Sequence, residues 1–592
     1  MDINKVSNVQ PLRKFLDKVE IMFRCSLLLS ALLAASIVHA RSVVEDNDWW
    51  KTATFYQIYP KSFKDSDGDG IGDLEGIIQK LDYLQDLGVT GIWLSPIYKS
   101  PLVDEGYDIS DFRDINPVFG DLKTFVRLVE GAHSRGLKVV LDYVPNHTSD
   151  QHEWFKKSEN GEEGYEDYFL WVDGKDGSKT ELPNNWISVF KNSVWEWSDK
   201  RNKFYLHQFF KQQPDLNFFN DKVRKEMRDI LNYWLEEYGV DGVRIDAVPH
   251  LVEAKNLTNE PRTYDPNAAP NEYDYLDHIF TRNQPESYDL VYEWRSHIDG
   301  ISKNTSQTKI CMTEAAVDIK YVVPYYGTAD GSKLGAHFSF NFVLLGLETT
   351  STAGDVASLI HSWVDNLPKI YTSNWVLGNH DNHRIATKAG KERVDCLNML
   401  SAFLPGIQVT YNGEEIGMEN GEVNCETQGL DHAENCTDYY KISRDFERTP
   451  FQWDNSEFAG FTDGKKTWLP VSSKKAECNV KDQLEDDKSH LSIYKKLQRL
   501  RPQWRQSEYE VKTLDEAQNV LQVVRYNEGG SNEAQLVFNF GSEPIKGINL
   551  NRGNSYEVVI SSSKSSRNAG DEVDGKSLNL DAYETLILKP KV

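Results

Sequence analysis

The chain has 592 residues, 39% of them hydrophobic and 12% aromatic, and a formal net charge of −25 from 66 basic and 91 acidic side chains. So much apolar material supports a large core and more than one domain, while the acidic balance repels nucleic acid and anionic membrane surfaces and excludes them as partners. The 15 Trp and 28 Tyr mostly fill cores, but flat aromatic faces also suit the apolar faces of sugar rings.

The first predicted element is an address. Arg24, an apolar run over 27–38 and the small-residue ending Val38-His39-Ala40 read as a secretory leader within 1–40, with Met22 a natural start. The run is short of the ~20 residues that span a bilayer, so a secreted, extracellular chain is expected rather than an anchored one. The last residues, Lys589-Pro590-Lys591-Val592, carry no signal for a lipid anchor. Cys25 leaves with the leader, and Cys311, Cys396, Cys425, Cys436 and Cys478 remain. A disulfide between the near neighbours Cys425 and Cys436 is expected in an oxidising compartment. The odd number leaves at least one free thiol, and Cys311, in an apolar run, is the best candidate. Asn256, Asn304 and Asn435 open Asn-x-Ser/Thr sites and are candidate glycan acceptors, the first two foremost; Asn146 opens another but lies inside a motif described below.

From Thr54 onward, short apolar runs alternate with amphipathic stretches. Strands are predicted at 54–59, 91–96 and 137–144, separated by helices at 74–87 and 122–134. From Asn146 to about Pro214 the alternation stops, and Gly, Trp, Asn and charge mark an inserted subdomain, assigned to 148–213. A helix at 223–238 restores the rhythm, with further strands at 242–247, 309–314, 336–342, 375–377 and 407–411. Eight strands with helices between them predict a (β/α)₈ barrel (a TIM barrel) built from 41–147 and 214–505. After a helix at 491–500, alternating strands at 520–526, 534–540, 556–560 and 584–588 predict a C-terminal antiparallel β-sandwich domain over 506–592.

In such a barrel the site lies where strands end. Asp142-Tyr143-Val144-Pro145-Asn146-His147 closes the third strand, Gly242-Val243-Arg244-Ile245-Asp246 the fourth, Thr313-Glu314 the fifth and Gly378-Asn379-His380-Asp381 the seventh. Arg244 and Asp246 stand two apart, hence on one side of the strand, and the guanidinium favours the ionised carboxylate that a nucleophile needs. Glu314 follows the apolar Ile310-Cys311-Met312, where desolvation raises its pKa and suits it to donate a proton. Such a pair serves glycoside cleavage, with retention of configuration if the carboxyl groups lie ~5–5.5 Å apart. Asp65-Ser66-Asp67-Gly68-Asp69-Gly70-Ile71-Gly72-Asp73 repeats the opening of an EF-hand loop and predicts a structural Ca²⁺ held by Asp65, Asp67, Asp69, the Ile71 carbonyl and Asp73; its twelfth position is Gly76 instead of a bidentate Glu.

These stretches, in this order from about Trp49, resemble the hallmark segments of the α-amylase family of glycoside hydrolases (family 13). Gln213-Pro214-Asp215-Leu216-Asn217 resembles the segment marking its oligo-1,6-glucosidase and maltase branch, insect maltases in particular. The resemblance implies Asp246 as nucleophile, Glu314 as acid/base and Asp381 as the third carboxylate. It further implies Arg244 as the nucleophile's partner, His147 and His380 as sugar-hydroxyl donors, Asp104 and Tyr107 as the glucose-pocket wall, Arg448 as its lid and Phe190 as an aromatic wall. Those groups close the non-reducing end, which implies an exo-acting α-glucosidase for maltose, sucrose and short α-1,4 oligosaccharides. Ala247, after the nucleophile, favours α-1,4 over α-1,6 linkages. The resemblance also implies the Ca²⁺ in the Asp65–Asp73 loop. The alternatives are a transglucosylase or sucrose isomerase of the same family, and a non-catalytic transporter heavy chain or receptor-like relative.

Overall fold

Eight short segments, almost every residue of them buried, pair side by side in parallel: β1 (Thr54–Ile58), β2 (Gly91–Leu94), β3 (Lys138–Tyr143), β4 (Gly242–Ile245), β5 (Ile310–Thr313), β6 (Phe338–Ser339), β7 (Asn374–Val376) and β8 (Ile407–Tyr411). In this computed structural model, which describes residues 48–428, 433, 435–504, 508–515, 519–527, 532–550 and 555–591, the sheet runs β6-β5-β4-β3-β2-β1-β8-β7. The predicted leader lies outside the described residues.

No backbone ladder joins β6 to β7, and side chains bridge the seam. Asn374 Nδ2 donates to the Ser339 carbonyl at 2.7 Å, Asn374 Oδ1 accepts the Asn341 amide at 2.8 Å, and Asn341 Nδ2 donates to the Asn374 carbonyl at 3.0 Å. This explains why β6 is two residues long instead of the seven expected over 336–342. β7 begins one residue before the predicted position because Asn374 belongs to it.

Helices cover the outside. The one predicted at 122–134 is Leu122–Ser134, capped by the Asp121 carboxylate on the Thr124 amide. The one predicted at 74–87 breaks at Lys80 into Leu74–Gln79 and Leu81–Leu87, ending at left-handed Gly88. Asp221–Asn232 continues into a π turn, Tyr233–Glu237.

The insertion has more order than its composition suggests. A helix, Glu153–Glu159, precedes a three-stranded antiparallel sheet in the order Trp171–Val172, Lys203–Leu206, Trp195–Ser198. Trp186, Val194, Trp195, Phe204 and Leu206 form its own core. The His147–Asp215 bridge ties its two ends together beside the third strand.

The C-terminal domain is a six-stranded antiparallel sheet, Glu508–Asp515, Val520–Tyr526, Asn532–Asn539, Thr585–Pro590, Ser555–Ser561, Glu572–Asp574 in spatial order. A ribbon, Ile545–Ile548 with Leu578–Leu580, shares its core through Ile548, Leu578 and Leu580. Glu508–Asp515, at the sheet's edge, is a strand that sequence reading did not single out. Asp395 fastens this domain to the barrel, taking the His490 ring at 2.6 Å and the Ser563 amide at 2.7 Å.

The Cys425–Cys436 disulfide is formed, and Cys311, Cys396 and Cys478 are free thiols. Asn256, Asn304 and Asn435 are all exposed, but the Asn435 side chain caps the helix Cys436–Ile442 by accepting from the Thr437 and Asp438 amides. Among the described residues no helix is long and apolar enough to cross a membrane.

Candidate active site

The register of β4 and β5 pairs Ile245 with Thr313, so Asp246 and Glu314 are neighbours immediately beyond the strand ends. Arg244, side chain 3% exposed, connects the acids: Nη1 contacts Asp246 directly and Asp142 at 2.9 Å, while Nη2 lies 4.0 Å from Glu314. Glu314 also accepts the Ala247 amide at 3.0 Å. That amide points inward because Ala247 sits in the left-handed region, φ 47° and ψ 37°, where the chain turns from β4 into Val248–His250.

Burial raises Glu314, as expected from its apolar approach, with Arg244 opposing and Asp381 adding to the rise. Asp246 departs from expectation. Burial pushes it upward and outweighs the nearby guanidinium, and Glu314 and Asp142 push the same way. Asp142, equally buried and also paired with Arg244, is raised to about 6. Arg244 therefore acts as the charge that limits a rise imposed by burial and crowded acids.

The remaining predicted site residues form one network. Tyr107 Oη lies 2.8 Å from His380 Nε2 and 3.1 Å from Asp142, and Gln57 Nε2 lies 2.8 Å from His380 Nδ1. Burial lowers His380 to about 3 and His147 to about 4, so both rings are neutral at neutral pH. Asp381 accepts from Arg448 at 2.7 Å and has Arg444 at 3.4 Å and His380 at 3.2 Å. Burial works against its charge, but His380, Arg448 and Arg444 together hold it below the usual carboxylate range. Its side chain nevertheless remains 39% exposed, because it faces a cavity of about 700 Å³ whose walls also include Trp93, Arg244, Glu314, Tyr321 and His380.

Asp104 is buried, with Arg444 on one oxygen at 2.9 Å and Gln213 on the other at 2.9 Å; Arg444 and Gln213 overcome burial and keep it low. Gln213 also reaches His147 at 3.0 Å, and Phe190 stacks on Phe210 with ring centroids 4.0 Å apart. One role shifts. Arg448, predicted as the lid, is 1% exposed beneath the site, donating to the His380 carbonyl at 2.6 Å. Arg444, which sequence reading did not single out, is the exposed member of the two, at 17%. It lies in a loop without periodicity, four residues before Arg448. Gln57 and Gln213 were also unassigned, although Gln213 opens the segment quoted above.

The acidic loop assembles only part of its predicted ligand set. Carboxylate oxygens of Asp65, Asp67 and Asp73 lie within 4.8 Å of one another. Asp69 instead accepts the Ile71 amide at 2.7 Å and stays out of the group. Asp65 is 1% exposed and also takes the Gly70 amide at 2.8 Å. Gly70 is required here, since it adopts φ +97° and a Cβ would meet the Lys466 carbonyl at 2.7 Å. Three close carboxylates, one deeply buried, form an all-oxygen donor set that fits a hard divalent cation.

Comparison with known proteins agrees with this layout. Maltase 1 of Drosophila virilis is 49% identical over 471 residues, 78% of this chain and 74% of that protein. An amino acid transporter heavy chain of Homo sapiens is 38% identical, covering 94% of this chain and 80% of its own. Among solved structures, an α-glucosyl transfer enzyme superposes with a TM-score of 0.79 at 32% identity, covering 92% of this chain and 99% of that one. The family model for the α-amylase catalytic domain matches residues 57–510, and the chain belongs to the α-amylase family of glycoside hydrolases.

Proposed function

We propose that the chain is an exo-acting, retaining α-glucosidase that releases α-glucose from maltose, sucrose and short α-1,4 oligosaccharides. The observation that carries the reading is Arg244 held between Asp246 and Glu314 at adjacent strand ends. Glu314 gives its proton to the glycosidic oxygen as the C–O bond breaks, and Asp246 bonds to the anomeric carbon. Glu314, now ionised, takes a proton from water, which attacks that carbon and frees Asp246; two inversions leave the product α. Asp381, kept ionised by its arginines, accepts hydrogen bonds from sugar hydroxyls that tighten in the transition state. Neutral His147 and His380 donate to others, Asp104 and Tyr107 wall the glucose, and Phe190 flanks the entrance.

The solved relative that transfers α-glucosyl groups supports a second reading, in which a sugar replaces water as acceptor. A heavy-chain role without catalysis fits less well, because it leaves the clustered acids and their arginines without a purpose. Secretion is supported by the disulfide, which suits an oxidising compartment. We also assign a structural Ca²⁺ to Asp65, Asp67 and Asp73, where it would neutralise their mutual repulsion and brace the turn after β1.

The test is hydrolysis of maltose, sucrose, isomaltose and starch by purified protein beside Asp246→Asn. Expected are α-glucose from maltose and sucrose, little from starch, and a loss of several orders of magnitude in the variant. Undiminished activity in that variant would sink the assignment.

A further inference from the structure

We propose that Trp468 is a positioning residue for the reaction, fixing the tilt of His380 through the ring of Tyr59. The inference rests on the glucosidase reading above and deepens it. Gln57 Nε2 donates to His380 Nδ1 at 2.8 Å, which leaves the proton of the neutral ring on Nε2, 2.8 Å from Tyr107 Oη. The Tyr107 and His380 rings are 3° from parallel. Two hydrogen bonds in the ring plane set where the imidazole sits, but they leave it free to pivot about the line through its nitrogens. A second ring against its face removes that freedom. Tyr59, 2% exposed, supplies it, with centroids 5.8 Å apart and planes 26° from parallel.

Tyr59, directly after β1, needs backing of its own. Its amide donates to Asn412 Oδ1 at 2.8 Å, and the Arg448 guanidinium lies 5.2 Å from its ring centroid. Trp468 stacks against it, with centroids 6.1 Å apart and planes at 29°. Such separations are those of offset aromatic pairs. The indole is held in turn by the start of the chain's own barrel. Its Nε1 donates to Ser62 Oγ at 3.1 Å, its backbone amide donates to the Gly70 carbonyl at 2.9 Å, and the Lys61 ammonium lies 4.0 Å from its ring centroid. Lys61 also pairs with Glu105, next to Asp104 in the pocket wall. The series Trp468, Tyr59, His380 thus carries a position fixed on the acidic loop to the imidazole that meets the sugar. His380 walls the cavity and Trp468 stands outside its lining, so the influence of the indole on the reaction passes through the two rings.

The test is the kinetics of p-nitrophenyl α-glucoside cleavage by wild type, Trp468→Leu, Trp468→Phe, His380→Gln and the double variant His380→Gln with Trp468→Leu. Trp468→Leu should lower kcat about tenfold while KM moves less than about threefold. Trp468→Phe, which keeps a ring against Tyr59, should return to within about threefold of wild type. In the His380→Gln background the leucine change should cost less than about twofold, because the ring it orients is gone. A role in stability alone would add its full loss in both backgrounds. If Trp468→Leu fails to fold by circular dichroism, Trp468→Met carries the same comparisons. A further loss of about tenfold in the double variant overturns the proposal, as do wild-type kinetics in folded Trp468→Leu or a phenylalanine variant no better than the leucine one. Failure of wild type to cleave the glucoside would instead refute the glucosidase reading.

Discussion

Removing Arg244 examines the electrostatic core of the site. Arg244→Met keeps length and packing but leaves Asp142, Asp246 and Glu314 buried without the guanidinium that contacts the first two. A unit charge ~4 Å away contributes about 4 kcal/mol at an effective dielectric of ~20, about a thousandfold in an equilibrium constant. Burial already raises Asp246 and Arg244 opposes it, so the substitution should raise it further. Protonated Asp246 is no nucleophile, and each unit of pKa above the working pH costs about tenfold in the ionised fraction. The acid limb of kcat/KM for p-nitrophenyl α-glucoside should therefore move towards alkaline pH, with activity near neutrality falling up to ~10³-fold. Arg244→Lys, which returns the charge without the fork, should recover part of the shift. An acid limb that stays in place in folded Arg244→Met would refute the reasoning, whatever the loss in rate.

Exhaustive chelation should lower the melting temperature of wild type, by an amount corresponding to about 2.7 kcal/mol if the ion had been at ~100 times its Kd. Asp65→Asn should lower it without chelator and respond less to it, and an unchanged melting curve in chelator would dismiss the ion. The contact between His490 and Asp395, both in the barrel, predicts a pH-dependent contribution to stability beside the Asp395–Ser563 link to the C-terminal domain. Burial disfavours the charged ring, but Asp395 outweighs it and raises His490, while Asp395 itself is lowered. A raised His stabilises fully below its unfolded pKa of ~6.5 and loses that contribution as pH climbs through the folded value. Asp395 contributes above its unfolded pKa and loses that as pH falls through its depressed one. His490→Gln should flatten the decline of stability above pH ~6.5 in urea titrations; an identical decline in the variant would dismiss the pair.

The barrel was legible because parallel strands buried on both faces read as continuous apolar runs, and the acids stood out because each followed such a run. Three things were not legible. The seam at β6 and β7 depends on Asn374 and Asn341 bonding through side chains, and two asparagines in apolar surroundings carry no periodic signal. The rise of Asp246 depends on how many other acids share its surroundings, a three-dimensional quantity, whereas sequence showed only Arg244 two positions away. Arg444 gains its contacts from loops after different strands and from the insertion, so nothing local distinguishes it from other surface arginines.

Ala247 ties two properties together. Its left-handed backbone delivers an amide to Glu314, and its side chain stands directly after Asp246. A left-handed conformation costs an L-residue roughly 1–2 kcal/mol, and a β-branched residue is a true outlier there. Valine at this position would therefore strain the turn whose amide Glu314 accepts. The cost would appear first as lost thermal tolerance, so such a change is best accommodated by a chain already stabilised elsewhere. Small side chains are thus the ones this left-handed position takes at least cost.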